Sequence, residues 1–258
     1  MLLCGEDPTF REGTHLVYQV QKSILHGTAD IFNAMQQYLP VKKNIPVIIE
    51  KVPVIIDKEK ILRCLHIAPP DKKAGLVFSL IREAIPVARP KIIFKKTDAG
   101  YSEKKNFYIG SKNYEGIPFD EGNPAPDFSV PFLVTAGNEI TKWAESFHDI
   151  FHRLCADEIC NEVLNHCIKY FCDLIRKEYG TPFCLLFPGS SPSWPVEEQK
   201  KIYDLFGEQC RKIGIIINEN YMIEPLKSVA GIAFPAEHAN TFCEQCAYVD
   251  CEKRILNH

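Results

Sequence analysis

The chain has 258 residues, 46% hydrophobic and 24% charged, and 30 basic against 33 acidic side chains give it a formal net charge of −3. A chain of this composition can bury a substantial core, which excludes an intrinsically disordered protein, and its balanced charge disfavours nucleic acid as a partner. It contains no run of about 18 apolar residues and no secretory signal pattern at its N-terminus. We therefore expect a soluble, cytoplasmic protein that binds neither nucleic acid nor membrane.

Helical periodicity and capping residues predict six helices, in which apolar side chains recur every three or four positions. The predicted helices span residues 28–39, 58–66, 71–84, 138–154, 156–179 and 196–211. We expect the two long helices, 138–154 and 156–179, to face the core.

Runs of β-branched and other apolar residues, bounded by prolines and glycines, predict strands. Residues 97–128 are rich in Gly, Pro, Asn and Tyr, a composition that favours hairpins with long loops. The predicted strands lie at residues 45–57, which prolines divide into two segments, and at 91–95 and 130–135, in the apolar run 183–187 that leads into a turn, and as two strands on either side of a polar centre within 213–231.

The signatures of common nucleotide-binding proteins and hydrolases are absent, including the Gly-x-Gly-x-x-Gly, Walker and His-Glu-x-x-His motifs. His148 and His152 stand four residues apart, but no third metal ligand accompanies them, and surface imidazoles are the favoured interpretation. Cys160 and Cys167 lie about two helical turns apart, too far for a disulfide, and are expected to pack in the core.

Eleven cysteines are many for a chain without a secretory signal, and we expect reduced thiols. Eight are scattered, most of them among apolar neighbours, where a cysteine behaves as a small buried hydrophobe. The other three, Cys243, Cys246 and Cys251, fall within nine residues near the C-terminus. This spacing favours an iron-sulfur cluster, with zinc as the alternative and metal-free thiols as the third possibility.

Three cysteines are one ligand short of the usual four. A three-thiolate cluster with an open site suits electron transfer, whereas a closed zinc site would be structural. The fourth ligand could come from a partner, from an exogenous molecule, or from within the chain, where the candidates are Cys184, Cys4, His238 and His258.

A tight turn, Pro-Gly-Ser-Ser-Pro-Ser-Trp-Pro over residues 188–195, follows the predicted strand at 183–187. A glycine in such a turn lets a ligand approach the backbone amides closely. The glycine and prolines also fit a turn that only caps a sheet, so the residues by themselves leave both interpretations open.

The segment 213–231, Ile-Gly-Ile-Ile-Ile-Asn-Glu-Asn-Tyr-Met-Ile-Glu-Pro-Leu-Lys-Ser-Val-Ala-Gly, resembles part of the activation domain of cobalamin-dependent methionine synthase. That family reads Ile-Gly-x-x-Leu-Thr-Glu-Ser-Phe-x-Met-x-Pro-x-x-Ser-Val-Ser-Gly, without gaps. The identical positions are Ile213, Gly214, Glu219, Pro225, Ser228, Val229 and Gly231. Upstream, Pro188-Gly189 is similar to the family's Arg-x-x-Pro-Gly-Tyr element, and the resemblance covers about residues 50–255.

Within this family, the turn, the Lys-Ser-Val sequence and the C-terminal cysteines resemble small stand-alone proteins that accompany corrinoid methyltransferase systems, including O-demethylases. The resemblance implies an α+β fold with a curved antiparallel sheet flanked by helices. It also implies binding of S-adenosylmethionine and docking on a cobalamin-carrying domain during reductive reactivation. Leu185 replaces the motif arginine and Ser190 the motif tyrosine, which disfavours S-adenosylmethionine, because a charge-assisted hydrogen bond of about 1.5–3 kcal/mol is lost.

The resulting prediction is an accessory protein that docks on a corrinoid-carrying protein or methyltransferase and aids reduction of Co(II) to Co(I) through a cysteine-ligated iron-sulfur cluster. The alternatives are a corrinoid-protein binding module with structural zinc, and an S-adenosylmethionine-binding methyl-transfer protein. No catalytic residue is assigned. By resemblance, the residues expected to line the corrinoid or small-ligand site are Pro188, Gly189, Ser190, Trp194, Glu219, Tyr221, Lys227 and Ser228. A corrinoid presents an apolar ring edge with amide side chains, so we expect this site to be an exposed surface that mixes aromatic and hydrogen-bonding groups, supplied by Trp194, Tyr221 and Lys227.

The predicted organisation has three parts. Residues 1–45 form an N-terminal extension without a readable role, residues 46–240 an activation-domain-like domain, and residues 241–258 a cysteine-rich metal-binding segment.

Overall fold

The structure is a computed structural model that describes residues 45–49, 51–68, 71–102, 107–114, 126–190 and 194–236. Within these ranges the framework is an antiparallel sheet of eight strands. The eight strands are β1 (Val47–Ile49), β2 (Lys91–Phe94), β3 (Thr97–Tyr101), β4 (Phe107–Ile109), β5 (Lys112–Tyr114), β6 (Phe128–Thr135), β7 (Phe183–Leu186) and β10 (Ser228–Pro235). A separate two-stranded hairpin joins β8 (Ile216–Ile217) to β9 (Ile223–Glu224).

The helices fall between these strands in the sequence. They are α1 (Lys58–Cys64), α2 (Lys72–Ala84), α3 (Asn138–Glu145), α4 (Ile150–Tyr179), α5 (Gln199–Phe206) and α6 (Gln209–Lys212), with one 3-10 turn at Val196–Glu198. Within the described ranges, none of these helices is both long and apolar enough to cross a membrane. The predicted helix at 28–39 lies outside the described residues.

The long strand β6 organises the sheet. It pairs with β2 and β3 along one edge and with β10 along the other, and β10 in turn pairs with β7. Every pairing is antiparallel, and helices lie against both faces of the sheet. This arrangement confirms the predicted α+β fold with an antiparallel sheet flanked by helices.

Two cores follow from the alternation of side chains along the strands. On one face, the Phe132 ring packs on Phe171 of α4, with ring centroids 4.4 Å apart, and the first half of α4 continues into a core shared with α1, α2 and α3. On the other face, Leu133 and Ile232 pack with α5, α6 and the β8–β9 hairpin.

Local capping fixes several helix ends as predicted. The Asp57 and Asp71 side chains accept hydrogen bonds from the first-turn amides of Lys60 and Lys73, at 3.0 and 2.9 Å. Gly180 ends α4 in the left-handed conformation, with φ of 66°.

The predicted boundaries of three helices are wrong, one of them the helix expected over 156–179, which begins at Ile150. The helix expected over 138–154 stops at Glu145, because Asp149 caps a new helix by accepting from the His152 amide at 2.8 Å. As a result Ile150 is 86% exposed, instead of facing the core as predicted. The helix expected over 196–211 is divided at Gly207 into α5 and α6.

Candidate functional site

Three strand ends meet at one end of the sheet and position most of the predicted site residues. Ser228, the first residue of β10, pairs with Thr135, the last residue of β6. Leu186, the last residue of β7, pairs with Ile232, so the chain beyond β7 continues toward the start of β10. The turn at 188–190 and the Lys227–Ser228 pair therefore lie at the same end of the sheet.

Lys227 is held by two side chains of α4. Its Nζ lies 2.8 Å from Asp157 Oδ1 and donates to Asn161 Oδ1, also at 2.8 Å, and the Lys227 side chain is only 14% exposed. Asp157 and Asn161 stand four residues apart, one helical turn, and so face the same side of α4. The lysine joins the start of β10 to the long helix.

Ser228 belongs to a short chain of hydroxyl hydrogen bonds. Its Oγ donates to Thr135 Oγ1 at 2.8 Å, and Thr135 Oγ1 also accepts from the Gly137 amide at 3.0 Å. Thr141 Oγ1 donates to the Gly137 carbonyl at 3.1 Å. These contacts fix the connection from β6 into α3 beside Lys227.

The loop between β8 and β9 is tied down although it is exposed. Asn218 Oδ1 accepts from the amides of Asn220 and Met222, each at 3.0 Å, and the Gln199 side chain of α5 donates to the Tyr221 carbonyl. Tyr221 takes the left-handed conformation with φ of 61°, which is uncommon for a residue other than glycine. The predicted residues Glu219 and Tyr221 are both exposed.

Large apolar side chains project from this loop and from the segment that follows it. Tyr221 is 39% exposed, Met222 48% and Leu226 64%. We call these three residues the hairpin surface. Neither Met222 nor Leu226 was among the predicted site residues, because in sequence they are indistinguishable from ordinary core residues.

The turn after β7 folds back on itself. Gly189 donates its amide to the Trp194 carbonyl at 2.8 Å, and the Ser190 amide and Oγ both donate to the Phe187 carbonyl, at 3.1 and 2.6 Å. Gly189 has φ of 82°, and a Cβ there would lie 3.3 Å from the Cβ of Val196. A glycine at this position therefore allows the turn to pack closely on the 3-10 helix and to adopt a backbone conformation with positive φ.

Trp194 corrects one prediction. It is 1% exposed and packs in the core between the sheet and α5, so it does not belong to an exposed docking surface as expected. The physical reason is the folded-back turn, which directs this large aromatic side chain among apolar groups of the sheet and α5. Residues 188–190 form a backbone turn at the end of the sheet, and their place in a binding site stays a prediction.

The fold has a counterpart among solved structures. The crystal structure of the MetH reactivation domain bound to AdoHcy is similar over 80% of this chain and 83% of that chain, with a TM-score of 0.58 and 16% sequence identity. The fold is that of the MetH reactivation domain. The sequence matches no protein-family profile, and no curated protein is significantly similar to it.

Two positions of the reactivation-domain motif carry different chemistry here. Leu185, at the place of the motif arginine, is a strand residue of β7 and 7% exposed. Ser190, at the place of the motif tyrosine, donates its hydroxyl to the turn itself. Neither side chain can supply the charged or aromatic contact that the motif residues would.

The described cysteines differ in burial, with Cys64, Cys172 and Cys184 half-buried. Cys155, Cys160, Cys167 and Cys210 are fully buried, as expected for core thiols. Burial raises the pKa of Cys160 and of Cys210 to about 12, which keeps both thiols protonated. Cys243, Cys246 and Cys251 lie outside the described residues, and within the described ranges no three His, Cys, Asp or Glu side chains form a metal-binding group.

Proposed function

We propose that this protein is an accessory protein of a corrinoid-dependent methyltransferase system, which docks on a cobalamin-carrying protein and aids its return from Co(II) to Co(I). The observation that carries the proposal is the fold of the MetH reactivation domain across 80% of the chain. The motif resemblance at 188–189 and 213–231 also supports it, because residues 188–189 and the Lys227–Ser228 pair lie at the same end of the sheet.

The hairpin surface is suited to recognising a protein partner. Its backbone is held by Asn218 and Gln199, so little conformational freedom is lost when a partner covers it. Tyr221 offers an aromatic ring with a hydroxyl, and Met222 an adaptable thioether, both common in binding surfaces. Exposed Glu219 adds a hydrogen-bonding group beside them.

The proposed chemistry is a one-electron reduction. An external low-potential electron donor loses one electron, and the Co(II) corrinoid of the partner gains it to become Co(I). A thiolate-ligated iron-sulfur cluster, if held by Cys243, Cys246 and Cys251, would supply a relay of suitable potential. The reactivation-domain fold supplies the docking surface.

Binding of an S-adenosyl ligand is a second candidate function, because the structural neighbour was crystallised with AdoHcy. The residues of this chain disfavour it. Leu185 stands where the motif has a charged side chain, and Ser190 where it has an aromatic one.

The docking proposal is tested with a purified Co(II)-corrinoid protein of an O-demethylase system. We expect Leu226→Ser together with Tyr221→Ala to weaken binding by at least ten-fold, about 1.4 kcal/mol, because hot spots are exposed anchors that become desolvated on binding. Ile150→Ser is the matched control, since Ile150 is an 86% exposed apolar side chain on α4. Binding is measured by calorimetry under anaerobic conditions.

Reduction is followed in the same preparation by the absorbance of Co(I), with a chemical reductant and catalytic amounts of this protein. Acceleration of Co(I) formation supports the proposal. Binding without acceleration would instead favour the binding-module alternative with structural zinc. If the double variant and the control bind the corrinoid protein with equal affinity, the hairpin surface is not the docking surface.

A further inference from the structure

Lys227 stands between the most exposed residue of the hairpin surface and the first residue of β10. Three residues, 225–227, connect β9 to β10. The first of them, Pro225, is buried, Leu226 is 64% exposed, and the Lys227 side chain is 14% exposed. Leu226 therefore projects from a connection whose other two residues lie against the protein.

The ammonium of Lys227 is occupied by the protein itself. Its Nζ lies 2.8 Å from Asp157 Oδ1 and donates to Asn161 Oδ1 at 2.8 Å. Asn161 is held in turn, because its Nδ2 donates to Glu158 Oε2 at 2.9 Å. The sequence resemblance places Lys227 in the ligand site, whereas these contacts favour a role within the protein.

The backbone around Lys227 is fixed by other contacts. The Lys227 carbonyl accepts from the Ala136 amide at 2.9 Å, and Ser228 Oγ donates to Thr135 Oγ1 at 2.8 Å. These bonds tie the start of β10 to the end of β6 without the lysine side chain. Removal of the ammonium alone should therefore leave β10 in place and loosen the connection that precedes it.

The rest of the hairpin surface is held by a different set of contacts. Asn218 and Gln199 fix the loop that carries Tyr221 and Met222. The Lys227 side chain fixes the connection that carries Leu226. A surface whose parts are held before association loses less conformational entropy when a partner covers it. The two sets of contacts together preorganise the hairpin surface.

We propose that Lys227 is a positioning residue, which holds Leu226 for docking on the corrinoid-carrying partner without itself contacting that partner. Asp157 and Asn161 of α4 act through the lysine. Because the lysine charge is paired with Asp157, we expect the partner surface that meets Leu226 to be apolar and to carry no acidic group for Lys227. This inference rests on the docking part of the proposed function and adds the character of the partner's surface.

The first experiment measures affinity for a purified Co(II)-corrinoid protein of an O-demethylase system, by anaerobic calorimetry. Lys227→Met keeps the apolar stem and removes the ammonium, and we expect it to weaken binding about three-fold or more. Lys227→Arg should recover part of the affinity, because a guanidinium can donate to both acceptors. Lys60→Met is the matched control, since Lys60 lies 3.0 Å from Glu162 of α4 in a similar ion pair. This control should bind as wild type does.

A double-mutant cycle separates positioning from a general structural role. If Lys227 acts through Leu226, Lys227→Met should change the affinity by less than about two-fold when Leu226→Ser is already present. Far-ultraviolet circular dichroism checks that each variant is folded. Equal losses of affinity in the two backgrounds would overturn the inference.

Removal of the two acceptors separates positioning from direct contact. Asp157→Ala together with Asn161→Ala leaves Lys227 intact and releases its ammonium. Positioning predicts weaker binding. Direct contact by Lys227 predicts an affinity equal to or tighter than wild type, and that result would contradict the inference. Asp173→Ala controls for the lost negative charge, because Asp173 is an exposed carboxylate of α4 that lies 3.2 Å from Lys169 Nζ.

Hydrogen–deuterium exchange without the partner keeps this inference apart from the proposed function. We expect peptides that span residues 223–228 to exchange faster in Lys227→Met than in wild type. Faster exchange in a protein that does not bind the corrinoid protein supports the anchoring of Leu226 by Lys227 and contradicts the proposed function. Wild-type binding with unchanged exchange and affinity in Lys227→Met supports the proposed function and contradicts the role of Lys227.

Discussion

Gly231 is a position in the sheet where a neighbouring aromatic ring leaves no room for a side chain. It lies in β10 between β6 and β7, and a Cβ built there would come within 2.5 Å of Phe132 Cζ and 3.0 Å of the Leu186 carbonyl oxygen. Phe132 is fully buried and its ring packs on Phe171 and Phe187. The ring has little room to move, so the position requires glycine.

We expect Gly231→Ala to lower the free energy of unfolding by about 1–3 kcal/mol, the usual cost of overpacking a core. Gly75→Ala is the matched control, because Gly75 is exposed in α2 and nothing lies within 4 Å of a Cβ there. The control should gain up to about 1 kcal/mol from better helix propensity. Urea denaturation measures both, and equal stabilities would show that Phe132 gives way.

At the scale of elements, α4 holds together parts of the chain that are far apart in sequence. It carries Asp157 and Asn161 toward Lys227, and Glu162 toward Lys60 of α1. On the same helix His166 is partly buried, and its Nε2 is buried without a hydrogen-bond partner in the described part of the chain. Burial lowers the pKa of His166, opposed by the nearby carboxylate of Glu162.

Stability should therefore depend on pH through His166. The pKa is lower in the folded state than the unfolded value near 6.5, so the unfolded chain binds more protons. The neutral imidazole favours folding above this pH, and stability is lost as the pH falls through and below 6.5. We expect His166→Gln to flatten the dependence of the urea midpoint on pH between about 7.5 and 5.

His148→Gln is the control for this measurement, because His148 is exposed just before α4. It should leave the wild-type dependence unchanged. If the His166 and His148 variants behave alike, the acid sensitivity does not arise from His166.

At the scale of the whole molecule, this chain shares the reactivation-domain fold without two of the motif side chains. We expect S-adenosylmethionine and AdoHcy to bind with a Kd well above the low micromolar range, because Leu185 and Ser190 stand where the motif has a charged and an aromatic side chain. Calorimetric titration measures the Kd. A low-micromolar value, about −8 kcal/mol, would show that the backbone turn at 188–190 suffices for binding.

The sequence by itself determined the local structure and the fold class. Asp57, Asp71 and Gly180 mark helix ends because capping depends on hydrogen bonds within a few residues. The motif resemblance around Pro188 and Ser228 indicated the antiparallel α+β architecture that the structure shows. The Cys243, Cys246 and Cys251 spacing is also visible in sequence, and its metal remains a prediction.

Only the tertiary structure decided which of these side chains are accessible and what they contact. Trp194 lies in the core, and Lys227 donates to Asn161, which precedes it by 66 positions in the chain. The exposed hairpin surface and the place of Cys184 beside Phe234 depend on strand pairing. Such contacts depend on long-range packing. It brings together residues that are far apart in sequence, and their residue types alone do not indicate that they are neighbours.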